Sequence, residues 1–296
     1  MIAIEQLRYV RLGTADLPGA IEFARRILGL ELVDQSGDQA CFRSDFRDHT
    51  LVFTNDANRA QTVGLEVRDT ETLEQAADIL ARQGYEMLPG APDAAAHRRV
   101  KAFLSFKDET GITIDLVVRP LHSGRRYFPS RDAGITGLEA VALRSTDIAR
   151  SEALWSKVLA GRVSDWVGDA AYIRLDAAHH RLALHPSAAG GVLAVEFGVE
   201  SVDQIMQASY FLQDAQVRIV HGPGRRPASG QMFLTFAGPD GVLFSFVAEG
   251  QRIEEAQHRP RQFPRRAQSF CSWGSRSEIR EFNCDDNTSA VRGGRS

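Results

Sequence analysis

The sequence predicts an α+β fold of two tandem modules, each a pair of βαβββ units whose curled sheet carries its helices outside. Three observations predict it: an internal repeat at constant offset, strand-length runs of alternating apolar residues, and two helix-length periodic segments per copy. LRYVRLGTADLPGAIEFARRILGLELVD from Leu7 lies against LEAVALRSTDIARSEALWSKVLAGRVSD from Leu138. Leu7, Val10, Leu12, Asp16, Leu28 and Asp34 recur as Leu138, Val141, Leu143, Asp147, Leu159 and Asp165, an offset of 131 (Leu7 to Leu138). His49 and Leu51 then fall on His180 and Leu182, and Val67-Arg68-Asp69-Thr70 falls on Gly198-Val199-Glu200-Ser201. Gly111 pairs with Gly241, one residue shorter.

Each copy reads the same way. LRYVRLGT and LEAVALRS alternate as strands do. Asp16 and Asp147 stand where a helix N-cap is wanted. After them Ile21, Phe23, Ala24, Ile27 and Leu28, and then Leu154, Trp155, Val158 and Leu159, have helical spacing. Gly29 ends the first helix. Strands follow around LELVD, QACFRS and HTLVFT, and around RVSDW, AAYIRLD and RLALH. A strand and a second helix come next (GLEVRD and TLEQAADILARQG; AVEFGVE and VDQIMQASYFLQDA). Each copy closes on a hairpin, KAFLSFKDETGITIDLVV or QMFLTFAGPDGVLFSFV. The expected domains are 1–125, 132–250 and a polar extension, 251–296. That extension, rich in Arg, Gln, Ser and Asn, reads as a surface-wrapping tail that frays into disorder, its first part anchored by Phe263, Phe270 and Trp273.

Composition excludes several functions. With 43% apolar and 25% charged residues and a formal net charge of −3, nothing invites nucleic acid or an anionic membrane. No apolar run approaches the ~20 residues of a membrane span, and no secretory leader is visible at the N-terminus. Cys41, Cys271 and Cys284 are too few and too scattered for a disulfide framework, which fits a cytoplasmic protein. The expected partners are a small aromatic or acidic organic ligand and further copies of the chain.

Two modules of paired βαβββ units, the opening LRYVRLGTADLPGAIEFARRILGLELVD, the pair His179-His180 and the closing GPGRRP…FLTFAGPDG resemble the vicinal oxygen chelate superfamily. Within it the chain is most similar to two-domain type I extradiol dioxygenases of the 2,3-dihydroxybiphenyl or dihydroxycumate kind. The resemblance spans about residues 5–275. It implies a structural N-terminal module and a C-terminal half-open barrel holding Fe(II) on two His and one Glu, where catechols chelate the iron and O2 cleaves the ring beside the diol. Such a triad leaves one face of the metal free for substrate and oxygen. Here the ligand contexts carry Ala140, Ala194 and Ser245, none of them a useful donor. The equivalent N-terminal positions are expected at Tyr9, Val63 and Asp115. The family's acid/base His matches His180, its second pocket His matches Arg226, and its pocket Tyr matches Thr235.

The candidate catalytic residues are therefore His180, Arg226 and Glu196. Tyr172, Arg174, His179, Ala140, Ala194, Thr235 and Ser245 are candidates for contacting a substrate. Tyr172 and Arg174 alternate along one strand and share a face. His180 could move a proton near neutrality, and Arg226 could hold a carboxylate. His49 occupies the place of His180 in the copy not expected to react. His185 and His221 read as surface groups. The expected function is a metal-independent enzyme without cofactor, acting by acid–base chemistry on a small aromatic or enol/keto-acid compound: hydrolysis, decarboxylation, isomerisation or C–C cleavage. The alternatives are an Fe(II) extradiol dioxygenase with displaced ligands, built on His180 and Glu196, and a non-catalytic binding or scaffold protein.

Overall fold

Two sheets follow one another along the chain in a computed structural model that describes residues 1–283. Cys284 and the end of the extension, where disorder is expected, lie outside the described residues. The first copy runs β1 (Gln6–Thr14), α1 (Leu17–Glu22), β2 (Glu31–Gln35), β3 (Gln39–Arg43), β4 (Leu51–Asn55), β5 (Gln61–Val67), α2 (Thr70–Arg82), β6 (Met87–Pro89), α3 (Pro92–His97), β7 (Ala102–Lys107) and β8 (Thr113–Val118). The second runs β9 (Ile135–Ser145), α4 (Ile148–Ala153), β10 (Arg162–Val167), β11 (Ala170–Arg174), β12 (Leu182–Pro186), β13 (Gly191–Val199), α5 (Val202–Asp214), β14 (Ile219–Arg225), β15 (Met232–Ala237) and β16 (Leu243–Ala248). Both copies are thus paired βαβββ units. Only α3 has no counterpart.

Local chemistry explains the repeated helices. Asp16 accepts from the Gly19 N–H at 3.0 Å and Asp147 from the Arg150 N–H at 3.1 Å, so each first helix begins on the capped turn the sequence predicts. Both then widen into π turns, Phe23–Leu28 and Leu154–Val158. Gly29, at φ 81°, closes the first in the left-handed region that glycine tolerates.

The sheet orders are β2-β3-β4-β1-β5-β8-β7-β6 and β14-β15-β16-β13-β9-β12-β11-β10. In each, the first and fifth strands of the copy pair antiparallel at the centre. Val10 faces Leu51 in parallel register as Val141 faces Leu182, so the offset of 131 holds there. It does not hold at the fifth strand. Val63 pairs with Val10, whereas Val195 pairs with Val141. The offset has become 132, so the counterpart of Ala194 is Thr62, not Val63, and that of Glu196 is Gly64. The caps of the second helices, Asp69 and Ser201, keep the new offset.

One apolar cluster joins the two copies through their helices. Phe23 of the first π turn lies 5.1 Å from Phe244 of β16, centroid to centroid. Phe236, Phe244 and Phe246 are fully buried there, each contributing about 1.5–3 kcal/mol. A separate cluster fills the inside of the second sheet, among Ala142, Tyr172, Ala183 and Ala194.

The described part of the extension packs against the second sheet. Residues Arg261–Phe263 form β17, a ninth strand beside β10, and Ala267–Phe270 form a short helix, α6. Ile253, Phe270, Cys271 and Ile279 are buried, whereas Trp273 is 52% exposed and anchors little. Apolar residues spaced without periodicity pack here because the barrel mouth offers them a surface.

Candidate active site in the C-terminal barrel

Pairing register sets the interior of the second sheet. Ala140 of β9 faces Glu196 of β13, which faces Ser245 of β16, which faces Thr235 of β15. Side chains directly opposite share a face, so this row looks into the barrel. Thr235 and Ser245 share a hydrogen bond at 2.8 Å between their hydroxyls. Ala142, Ala183 and Ala194 supply the small neighbours, and Tyr172 and His185 enter from β11 and β12.

Glu196 is the centre. Its carboxylate accepts from Arg226 Nη2 at 2.6 Å and Nη1 at 2.9 Å, a bidentate pair. Arg226 Nη1 also donates to Gln231 Oε1 at 2.6 Å. Burial is the largest influence on Arg226 and would lower its pKa, but the charge and hydrogen bonds of Glu196 together raise it. Arg226, with its side chain 12% exposed, is thus a largely buried cation lining the cavity, not a solvated loop charge. It is also committed to one carboxylate of the protein.

The paired histidines form a chain. His179 Nε2 lies 2.9 Å from Asp165 Oδ2, and His179 Nδ1 lies 3.2 Å from His180 Nδ1. Asp165 is held ionised: hydrogen bonds from His179 and Arg261 overcome its burial and lower its pKa. Burial lowers the pKa of His179, and lowers that of His180 well below the ordinary value, so both rings are neutral at pH 7. A neutral ring has one N–H. That of His179 goes to Asp165 from Nε2, which leaves its Nδ1 as acceptor for the His180 Nδ1–H. His180 Nε2 is then a bare lone pair. It has no hydrogen-bond partner and lies 3.8 Å from Glu196 Oε2.

The residues expected from the sequence divide on this geometry. His180, Glu196, Arg226, Tyr172, Ala140, Ala194, Thr235 and Ser245 come together. His179 stands behind His180 and sets its tautomer. Arg174 is turned away, its guanidinium on Glu255 at 2.9 Å and on the Val163 carbonyl at 2.9 Å. His185 and His221 are not surface groups: they are 2% and 3% exposed. Burial pushes the pKa of His185 down to about 3 and that of His221 to about 4. Their cover is the extension, since Phe282 lies 5.0 Å from the His185 ring and 5.7 Å from that of His221. Asp165 and Gln231 were missed. The recurrence of Asp34 as Asp165 was the available signal for the first, and alternation from Ala183 to His185 could have placed His185 inside.

The free space in this cavity, ≈ 10 Å³, holds about one water molecule. Ile279 and Phe282 close its mouth.

As a metal site the cavity fits in part. Ala140 and Ala194 carry no lone pair, and a neutral serine hydroxyl is a poor Fe(II) ligand, so the positions matched to the triad do not fit. Among the described residues no three His, Cys, Asp or Glu side chains gather closely enough to hold an ion. The orphaned Nε2 of His180 and the carboxylate of Glu196 do fit, as one imidazole and one carboxylate donor.

Known proteins place this geometry. The chain is 23% identical over 276 residues to an iron-dependent extradiol dioxygenase of Rhodococcus jostii (strain RHA1), covering 86% of this chain and 92% of the relative. It is 26% identical over 199 residues to a biphenyl-2,3-diol 1,2-dioxygenase of Pseudomonas sp. (strain KKS102), covering 62% and 68%. A halotolerant catechol dioxygenase structure superimposes with a TM-score of 0.86 at 19% identity, covering 96% of this chain and 98% of that one. The Mn(II)-bound glyoxalase from Novosphingobium aromaticivorans does so with 0.86 at 20%, covering 96% and 95%. These relatives overturn the expectation of a metal-independent acid–base enzyme without cofactor, and favour the dioxygenase with displaced ligands. The family model for the Glyoxalase/Bleomycin resistance protein/Dioxygenase superfamily matches residues 6–116 and 137–246, and the chain belongs to that superfamily.

Proposed function

We propose that the chain is a ring-cleaving dioxygenase of the extradiol class, whose C-terminal barrel takes a small aromatic vicinal diol together with Fe(II) held by His180 and Glu196. In this reading residues 1–125 are the structural module and 132–250 carry the site. One observation supports it above the others. The bare Nε2 of His180 faces a carboxylate oxygen at 3.8 Å with no proton between them. Arg226 Nη1 already donates to that oxygen at 2.9 Å, but the buried Nε2 of His180 has no donor, which is unfavourable unless a cation or a donor reaches it.

Bound Fe(II) would supply electron transfer between the diol and O2. The chain's own groups do the rest. Asp165 and His179 keep the His180 lone pair turned inward, as outer-shell partners do for ligating imidazoles. Arg226 must yield part of Glu196 and is then free to hold a diol oxygen as its charge develops. The hydroxyls of Thr235 and Ser245 offer hydrogen bonds to the same oxygens. Ile279 and Phe282 exclude water, and must move aside for a catechol to enter.

The test is anaerobic loading of the purified chain with Fe(II), followed by metal analysis and O2 uptake with catechol and 2,3-dihydroxybiphenyl. One iron per chain and O2 uptake on a diol are expected, with His180→Ala and Glu196→Gln each losing the iron. A chain that neither retains iron nor consumes O2 overturns the reading.

A further inference from the structure

A cleft of ≈ 650 Å³ lies between the two modules, outside the barrel. One wall is the β7–β8 hairpin with Tyr85 and Leu88; the other is the start of α4, with Asp147 and Arg150. The volume falls in the range of small-molecule sites. Tyr85 and Phe106 meet edge to face at 5.3 Å, and Leu88 is 72% exposed beside them, so part of the wall is apolar.

Two carboxylates of the lining are each only half used. Asp108 Oδ1 accepts from the Thr110 N–H at 2.9 Å, the Thr110 hydroxyl at 2.6 Å and the Ile112 N–H at 3.1 Å. Asp108 Oδ2 is buried with no partner, on a residue only 7% exposed that lines the cleft. Glu109 Oε1 takes the Tyr85 hydroxyl at 2.5 Å and Arg150 Nε at 2.9 Å. Glu109 Oε2 is again buried and unpartnered. No cation of the described residues pairs with Asp108, although burial pushes its pKa up to about 6. The lining carries four acids (Glu86, Asp108, Glu109, Asp147) and two bases (Lys107, Arg150), a net charge of −2. A buried carboxylate oxygen without a donor is costly and calls for an occupant. The cleft is far larger than a metal ion needs. Asp108 and Phe106 are buried in its wall, whereas Glu86, Asp147 and Leu88 are exposed.

We propose that this cleft is a second ligand site, taking a small organic ammonium compound whose N–H groups donate to Asp108 Oδ2 and Glu109 Oε2 and whose apolar body lies against Tyr85, Phe106 and Leu88. The site is separate from the barrel and does not depend on iron there.

Calorimetric titration of the full chain at pH 8 with 2-phenylethylammonium tests it, with 2-phenylethanol and 3-phenylpropionate as matched neutral and anionic probes. Saturable binding of the ammonium is expected, with both other probes at least about tenfold weaker. Asp108→Asn keeps the Oδ1 acceptor and replaces the orphaned oxygen by a donor; Glu109→Gln does the same at the second carboxylate. Each is expected to weaken the ammonium about tenfold or more, with the thermal midpoint confirming the fold. Equal affinity for the alcohol, unaltered binding in both cleft variants, or no saturation by about 10 mM would each overturn the proposal. So would stoichiometric displacement of the amine by Mg2+ or Ca2+, which would make the carboxylates a metal site.

Discussion

The two copies put the same cross-strand pair at the centre of their sheets and fill it in opposite ways. In the first, Tyr9 stands opposite Gly64; in the second, Ala140 stands opposite Glu196. A Cβ on Gly64 would lie 2.5 Å from the Tyr9 ring, so the glycine is what admits the tyrosine. The Tyr9 hydroxyl donates to Asp115 at 2.8 Å, and Arg98 and Ser105 complete that carboxylate at 2.6 and 2.5 Å. Ser105 and Asp115 are the register counterparts of Thr235 and Ser245. Even the histidine state is shared. His49 turns Nδ1 to Asp48 at 3.3 Å and keeps Nε2 unpartnered, as His180 does. What differs is what lies beside the ring: His49 stacks on Tyr9 at 5.1 Å, whereas His180 faces Glu196. Moving the bulk from the first strand to the fifth, and changing it from phenol to carboxylate, turns a closed core into a polar cavity without altering the fold.

The comparison breaks most visibly at Glu196. Glu196→Ala leaves Arg226 a buried cation with no counter-charge, which costs about 3–5 kcal/mol in urea unfolding. Replacing both partners, Glu196→Leu with Arg226→Met, is expected to recover most of that. A single variant as stable as the parent would mean that the pair does not hold the barrel together. Next comes Ala140→Tyr, which transplants the first copy's ring opposite a side chain instead of a glycine. Overpacking should cost about 1–3 kcal/mol. Adding Glu196→Gly and Ser245→Asp rebuilds the Tyr9–Gly64–Asp115 arrangement and should restore part of the loss. If it does not, the two interiors are not interchangeable in the way their register implies.

His179→Ala sharpens the comparison without moving bulk. It removes the acceptor that holds the His180 Nδ1–H, so the tautomer is no longer fixed. Nitrogen-15 shifts of the His180 ring report this directly, with protonation moving from Nδ1 toward Nε2. Iron affinity should fall about 10–100-fold, the usual effect of losing an outer-shell partner. An unchanged tautomer would mean that the chain from Asp165 does not set it.

Much of this was legible in the sequence, for reasons that differ by residue. The recurrence from Leu7 to Asp34 fixed the architecture because capped helices and alternating strands are local patterns. Ala140, Ala194 and Ser245 could be placed in the cavity row because each lies at a short fixed distance from an anchor such as Asp147 or Gly241. The one-residue change of offset at β5 and β13 was not, since Val63 and Thr62 fit a strand equally well and only pairing register separates them. The burial of His185 and His221 was hidden too. Their cover comes from Phe282, far along the chain in a segment with no periodicity. The Glu196–Arg226 pair joins residues 30 apart, and nothing local to either names the other.

The smallest expected effect concerns the last hairpin of each copy. The Asp108 N–H donates to Ile112 O at 3.0 Å as the Gly238 N–H donates to Val242 O at 3.0 Å, so the two residues correspond. The first copy thus carries a buried carboxylate where the second has no side chain. Burial raises the Asp108 pKa from 3.8 to about 6. The folded state therefore binds the proton more tightly than the unfolded chain does, and stability falls as pH rises from about 4 through about 6. Asp108→Asn removes that penalty while keeping the Oδ1 acceptor for Thr110 and Ile112. The rise in pKa corresponds to about 3 kcal/mol. Part of this is offset because the neutral amide accepts more weakly from Thr110 and Ile112. Urea unfolding at pH 8 should therefore show the variant more stable by about 1 kcal/mol, with the gain vanishing near pH 4. A gain of the same size at both pH values would place its origin in packing or the denatured chain, and would remove the ionised carboxylate as what distinguishes this hairpin from its partner.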